Sequence, residues 1–518
     1  MKRALLFSTL LYMCSAARAQ QGYGMSLAEG LEYEVELQAT TGSGEHSPLW
    51  LNANKYGLSS LEKNNGFVRA ALYRPVETDD DRRWGIGYGL DVAGAYHFTS
   101  NVVIQQAYVD VRWLSGMLTM GSKEQPLELK NSELSSGSQT FGINARPVPQ
   151  VRLALPDYWD IPGTAGWVGL KGHFAYGMMT DEKWQEEFTA AQSKYTKKTL
   201  YHSKAGYLRI GPRNITLELG IEMACQFGGT SYNCVGSGSV IENKKGLRSF
   251  FNALIPGGTD VGESDVEGAY ENADGNHVGS WVARLSFDYP AWNLGLYADH
   301  YFEDHSSMLF LDYDGYGSGD KWNSKETSRY FMYDLKDIML GAELQLKEVP
   351  WLSNLVFEYI YTKYQSGPVY HDHTKNLSTH ISGRDNYYNH SIFTGWQHWG
   401  QVMGNPLYRS PLYNETGKIE TEANRFYGFC LGLCGDPTQT LHYRLRGSWQ
   451  KAFGTYVRPY ANPKENLSLL AEATYTFPEE SRLSGWSVRA GVGYDKGRLL
   501  GDNVGFQLTV TKWGLLNF

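Results

Sequence analysis

His371, Asp372, His373, His380 and His390 crowd one stretch, "HDHTKNLSTHISGRDNYYNH". Imidazoles and carboxylates are the donors that zinc takes. Their spacing follows no helix or strand period, so the stretch reads as a solvated loop and no metal ligand is assigned. "DYDGYGSGD", Asp312 to Asp320, has the texture of a calcium loop but lacks the bidentate Glu at its twelfth position. No G-x-S-x-G nucleophile elbow occurs in the sequence. The reading is therefore of a non-enzyme with no catalytic residue, cofactor or metal. A net charge of -8 and the absence of basic runs argue against nucleic acid as a partner.

The remaining chemistry is that of recognition. Sugars present C–H faces that stack on aromatic rings, and hydroxyls that suit Arg, Asn, Gln and Asp. Residues 384–413 hold Arg384, Tyr387, Tyr388, Trp396, Trp399, Tyr408, Arg409 and Tyr413. A second run, "NARPVPQVRLALPDYWDIPGTAGWVGLKGHF", carries Arg146 and Arg152, then Asp157, Tyr158 and Trp159. Candidate glycan contacts are Trp396, Trp399, Tyr387, Tyr388, Arg384, Arg409, Arg146, Arg152 and Trp159. The competing role for each aromatic is to pack its loop against the scaffold.

That scaffold must come from strands. In "WGIGYGLDVAGAYHF", Trp84 to Phe98, apolar side chains alternate with small or polar ones, and the same period of two runs from Ile215 to Phe227. It recurs at Leu31–Ala39, Trp281–Tyr289, Ile338–Leu346, Leu355–Tyr361, Leu441–Trp449, Leu467–Phe477 and Trp486–Tyr494. Soluble strands cluster near ~5–6 residues, whereas strands that cross a bilayer need about 9–11, apolar outward and polar inward. The fold class is thus all-β: a transmembrane outer-membrane β-barrel of about 18 antiparallel strands, with 16 as the alternative count. The segments near 115–122, 150–156 and 425–433 are the least regular. Pro147, Pro149 and Pro156 do not suit a regular central strand.

Short connections alternate with long ones, the longest at 365–424, and these long loops are expected outside the cell. Minor helical segments complete the fold. The clearest is Thr180–Tyr195, with Thr180 as its cap and Trp184, Phe188 and Ala191 as one stripe. On the inward face fall Glu34, Glu36, Asp91, Glu222, Glu343, Glu358, Arg444 and Arg489 among others, expected as an ion-paired lumen.

Residues 1–19 read as an export signal: a basic start, a short apolar run, and Ala17-Arg18-Ala19 before Gln20. Residues 20–518 then form a single barrel domain in the cell outer membrane. Its strand surface is committed to lipid. Asn503 to Phe518 would be the closing strand, its terminal Phe the kind of end-signal that barrel insertion machinery reads. Lys512 interrupts its apolar face, by snorkelling or by a bulge. Of the cysteines, Cys225 and Cys234 are near enough in sequence to pair. Cys430 and Cys434 share a strand face, too far apart for a bond.

The Arg-Pro-x-Pro-Gln segment at 146–150, "FEDHSSM" at 302–308, "GWQHWGQVMGNPL" at 395–407 and "FGTYVRP" at 453–459 together resemble the capsule assembly Wzi family of outer-membrane proteins. The resemblance runs through most of the mature chain. It implies an 18-stranded barrel that binds or anchors capsular polysaccharide, lectin-like and without catalysis. It also implies, in some members, a small periplasmic helical bundle. Two other readings stand beside it: a porin-like channel for sugars or ions, and an outer-membrane enzyme.

Overall fold

In the computed structural model, which describes residues 27–80, 83–212, 214–254, 275–303, 319–321, 324, 337–365 and 385–516, the period-two segments form one closed sheet. Its 18 strands are β1 (Leu31–Ser43), β2 (Asn65–Arg74), β3 (Trp84–Tyr96), β4 (Val102–Trp113), β5 (Gly116–Ser122), β6 (Gln150–Asp160), β7 (Val168–Met178), β8 (Leu200–Ile210), β9 (Ile215–Phe227), β10 (Asn276–Asp288), β11 (Trp292–Glu303), β12 (Ile338–Leu346), β13 (Asn354–Tyr361), β14 (Phe426–Thr438), β15 (Leu441–Gly454), β16 (Pro459–Thr476), β17 (Trp486–Gly497) and β18 (Asn503–Leu516). Each pairs antiparallel with its neighbours in sequence, and β18 closes on β1 with Leu31 opposite Leu516 and Ser43 opposite Val504. Closure leaves no sheet edge, which hydrocarbon does not tolerate. The larger of the two expected strand counts is therefore the observed one, and the irregular segments are β5, β6 and β14.

Alternation decides which way each side chain faces. Leu37, Val68, Leu90, Ile104, Leu153, Phe174, Leu219, Leu296, Phe357, Leu431, Leu469, Val504 and Phe506 stand exposed on the outer wall, the surface for acyl chains. Trp84, Trp113, Trp159, Trp167, Trp351, Trp486 and Trp513 are also exposed, and all sit at one end of the wall. They form an interfacial belt at the level of the short connections, such as 114–115, 289–291 and 439–440. The described parts of the long connections, 44–64, 123–149, 179–199, 228–254, 362–365 and 385–425, follow strands that end at the other end of the wall.

Local exceptions have local causes. Pro156 falls where the pairing of β6 with β7 shifts between Leu155 and Trp159, a bulge that needs no donor from Pro. Pro147 and Pro149 precede the strand. Lys512 snorkels: its Nζ donates to Ser484 O at 2.6 Å, in the connection beside the belt. The expected helix at Thr180–Tyr195 is shorter, α2 (Glu182–Phe188), on the long-loop side, after a single turn α1 (Leu49–Asn52) inside the lumen. Thr180 does not cap it. Asp181 is the N-cap residue and makes no side-chain cap bond, because its carboxylate is engaged elsewhere. Ala191 lies outside the helix, while Trp184 and Phe188 stack at 4.9 Å. Cys225, Cys234, Cys430 and Cys434 are all free thiols, so the first two, near enough in sequence to pair, do not. The export signal, Phe518, Arg384, His371, His373, His380 and most of "FEDHSSM" and "DYDGYGSGD" lie outside the described residues.

The largest departure concerns the long connections. Residues 44–64, 123–149 and 385–425 turn inward and fill the lumen. Leu49, Trp50 and Leu51 from the first, Val148 from the second, and Tyr387, Trp396, Leu407 and Tyr408 from the third pack with Tyr201, Val278, Tyr301, Ile360, Phe426 and Leu470 of the wall in one buried cluster. Leu58 packs separately against Phe67, Ala93 and Val103.

Candidate functional site

The inner wall is polar, so a plug can bind it only by answering its charges. Segment 123–149 does this. Lys130 pairs with Asp299 at 2.8 Å, both side chains almost fully buried. Asp299 also accepts from Gln139 N–H at 3.0 Å. Glu358 accepts from Ser135 Oγ at 2.5 Å, Ser136 N–H at 2.7 Å and Tyr297 Oη at 2.7 Å. Around these, Arg69–Asp91, Arg284–Glu343 and Arg444–Glu472 pair along the wall, as an ion-paired lumen requires. Asp299 and Lys130 belong to this network, and no periodic signal picked them out beforehand.

Above this layer sits the aromatic part of segment 385–425. Tyr388 stacks on Tyr408 at 3.9 Å between centroids, and Tyr387 meets Tyr301 edge-on at 4.8 Å. Trp396 is fully buried, with Nε1–H donating to Thr140 O at 3.0 Å. These three candidates are thus held inside the plug. Arg409 ties its own loop together: it donates to Asn414 Oδ1 and Tyr413 O, both at 2.5 Å, and pairs with Glu422 at 3.3 Å. Arg152 lines a lumen cavity of about 100 Å³ beside His173 and Tyr207. Trp159 lies at the opposite end of the barrel, in the interfacial belt, far from the other candidates.

Trp399 and Arg146 do come together. Gln397–His398 and Gln401–Val402 pair as a minimal hairpin whose loop is Trp399-Gly400. Both loop residues have positive φ, 56° and 79°, as a type I′ turn demands. Gly accepts that conformation freely; a bulky residue such as Trp is rarely found in it. Four hydrogen bonds hold it. Asp181 accepts from Trp399 N–H and from Gln397 Nε2, each at 3.1 Å. Gly400 N–H donates to Gln397 Oε1 at 2.8 Å. The indole Nε1–H donates to Thr180 Oγ1 at 3.2 Å.

The result is an indole held half-buried at the long-loop rim. The Arg146 guanidinium lies 4.4 Å from its ring centroid and donates to Thr99 Oγ1 at 2.7 Å. Burial pulls Arg146 down to about 10, still charged at neutral pH. His398 completes the support. Burial lowers its pKa, and its neutral form fits its partners: Nδ1–H donates to Arg146 O at 2.8 Å, while Nε2 accepts from Thr180 N–H at 3.2 Å. A flat ring on the outer rim, backed by a buried cation, can stack on a sugar. Sequence reasoning missed His398, Asp181 and Thr180, which position the pair; the hairpin signal was the "HWGQ" run itself.

A sequence profile described as "Capsule assembly protein Wzi" matches residues 15–319. No curated protein sequence matches the chain. Among solved structures, Escherichia coli Wzi, described as a carbohydrate-binding β-barrel involved in group 1 capsule assembly, superposes with a TM-score of 0.56 at 13% identity, over 95% of this chain and 86% of that one. At that identity the likeness is one of fold. Pseudomonas aeruginosa OccK2 in complex with glucuronate reaches 0.45 at 9% identity, over 95% and 100% of the two chains. Pseudomonas aeruginosa OprD reaches 0.43 at 11%, over 96% and 99%.

Proposed function

The chain belongs to the capsule assembly Wzi family, and from that premise we propose that it binds capsular polysaccharide at the cell surface as a lectin-like, non-catalytic barrel of the outer membrane. Residues 1–19 direct its export and are removed, the barrel insertion machinery folds the remainder as one domain, and lipid covers its wall. The single structural observation that favours this reading is Trp399: an indole forced into a conformation rare for Trp, set on the outer rim and backed by Arg146. Residues held in sparsely populated backbone conformations cluster at ligand clamps and binding sites. Trp399 is the contact assigned to polymer, and the buried Arg146 backs its ring from beneath. Trp396, Tyr387, Tyr388 and Arg409 shape the platform beneath them. The packed lumen weighs against the channel reading.

The test is complementation of a deletion strain. Wild-type protein should restore cell-bound capsule, whereas Trp399→Ala with Arg146→Ala should shed polymer to the medium at equal surface expression. Full retention by the double variant would remove the site from this rim.

A further inference from the structure

At the short-connection mouth of the barrel, segment 123–149 reaches its deepest point against β14 and β15. Leu134 is buried there with Val356 and Cys434. The adjoining Glu133 turns toward His442, and its backbone oxygen accepts from Arg444 at 3.3 Å. One oxygen of Glu133, the Cys434 thiol and a His442 ring nitrogen all lie within 4.8 Å of one another. We propose that Glu133, Cys434 and His442 form a binding site for a divalent transition ion of the zinc class, which fastens the plug to the wall at the periplasmic mouth.

Three features support the assignment. The donor set is mixed, one carboxylate oxygen, one thiol sulfur and one imidazole nitrogen, which is a borderline-soft set suited to zinc and unsuited to magnesium or calcium. The two ring nitrogens of His442 have separate tasks. Nε2 faces Glu133 Oε1 at 2.7 Å, inside the cluster, while Nδ1 is held by Asp436 Oδ1 at 2.8 Å. A carboxylate on the far nitrogen is the arrangement that orients a metal-bound imidazole and raises its basicity. Finally, the site joins two parts of the chain: Glu133 belongs to the plug, and Cys434 and His442 to adjacent wall strands. Cys434 is buried and held by Ser353 Oγ at 3.7 Å, whereas Glu133 and His442 are partly open to solvent, so an ion has a route in. Three protein ligands leave a fourth position for water.

The competing arrangement is an imidazolium held between two carboxylates, in which the thiol has no part. The experiment separates the two. Full-length protein in detergent, stripped with a chelator and shown folded by its fast migration when unboiled, is titrated with zinc and then with cobalt. One zinc per chain should bind, and cobalt should give a near-ultraviolet thiolate charge-transfer band. Cys434→Ser should abolish that band, and His442→Ala should abolish stoichiometric binding. Asp436→Asn should weaken binding by roughly 10–100-fold while keeping the band, as expected for a residue that orients a ligand. Absence of stoichiometric zinc binding to the folded protein would overturn the proposal. So would a cobalt band that survives Cys434→Ser, since Cys225, Cys234 or Cys430 would then be its source.

Discussion

Trp396 and Trp399 stand three positions apart in one motif and meet different surroundings. Trp396 fills the plug, so Trp396→Ala should cost about 3–5 kcal/mol through the cavity left behind. The check is the temperature at which the fast-migrating folded form is lost. Trp399→Ala should leave that temperature nearly unchanged and weaken polymer binding instead. One lost stack is worth about 1 kcal/mol, or roughly a fivefold loss per site, compounded along a repeating polymer. Purified protein titrated with oligosaccharide released from the capsule would read it. The buried Lys130–Asp299 pair belongs to the same scale. Lys130→Met strands Asp299 as an unpaired charge and should destabilise the fold by about 3–5 kcal/mol, whereas an exposed pair such as Lys183–Glu187 should contribute under ~1 kcal/mol.

At the scale of elements, the strands were legible in advance because lipid on one side and charge on the other impose a period of two. Ile338–Leu346 has the bounds that its alternation implied. The inward course of 44–64, 123–149 and 385–425 was not legible. Plug segments have no period, and many of their partners lie more than a hundred positions away, as Asp299 does from Lys130. The rim pair was half legible: Arg146 and Trp399 stood out by type, but only a turn formed around Asp181 brings them together. The plug carries its own pH signature. Lys55 and Glu124 share a cavity of about 210 Å³ with Arg69, Arg444, Arg489 and Glu36. Burial pushes Glu124 up to about 7 and Lys55 down to about 7. From about pH 4.3 to 7 the folded state holds the Glu124 proton that the unfolded chain has released, so stability falls as pH rises. From 7 to about 10.4 the unfolded chain holds the Lys55 proton that the folded state has released, so stability rises. These two groups together predict a minimum near neutrality in melting temperature against pH. Glu124→Gln should flatten its acid limb and Lys55→Met its alkaline limb.

For the whole molecule, a packed lumen predicts little ionic conductance in planar bilayers. Replacing 44–64, 123–149 and 385–425 by short Gly/Ser connections should open a pore of the width that 18 strands enclose. Equal conductance in both proteins would contradict the plug. The plug also sets an order of events. Leu49 N–H donates to Asp495 Oδ2 across 446 positions, and Trp50 Nε1–H to Ser448 Oγ across 398. Contacts so remote repay the entropy of loop closure only after the last strands have arrived. Segment 44–64 emerges first from the export machinery and is anchored among the last, so a newly exported chain carries its most apolar turn, Leu49-Trp50-Leu51, unshielded through the periplasm. A holding chaperone is expected to shield that turn until the last strands arrive. In a pulse-chase, protease resistance of 44–64 should appear together with β18 closure and never before it.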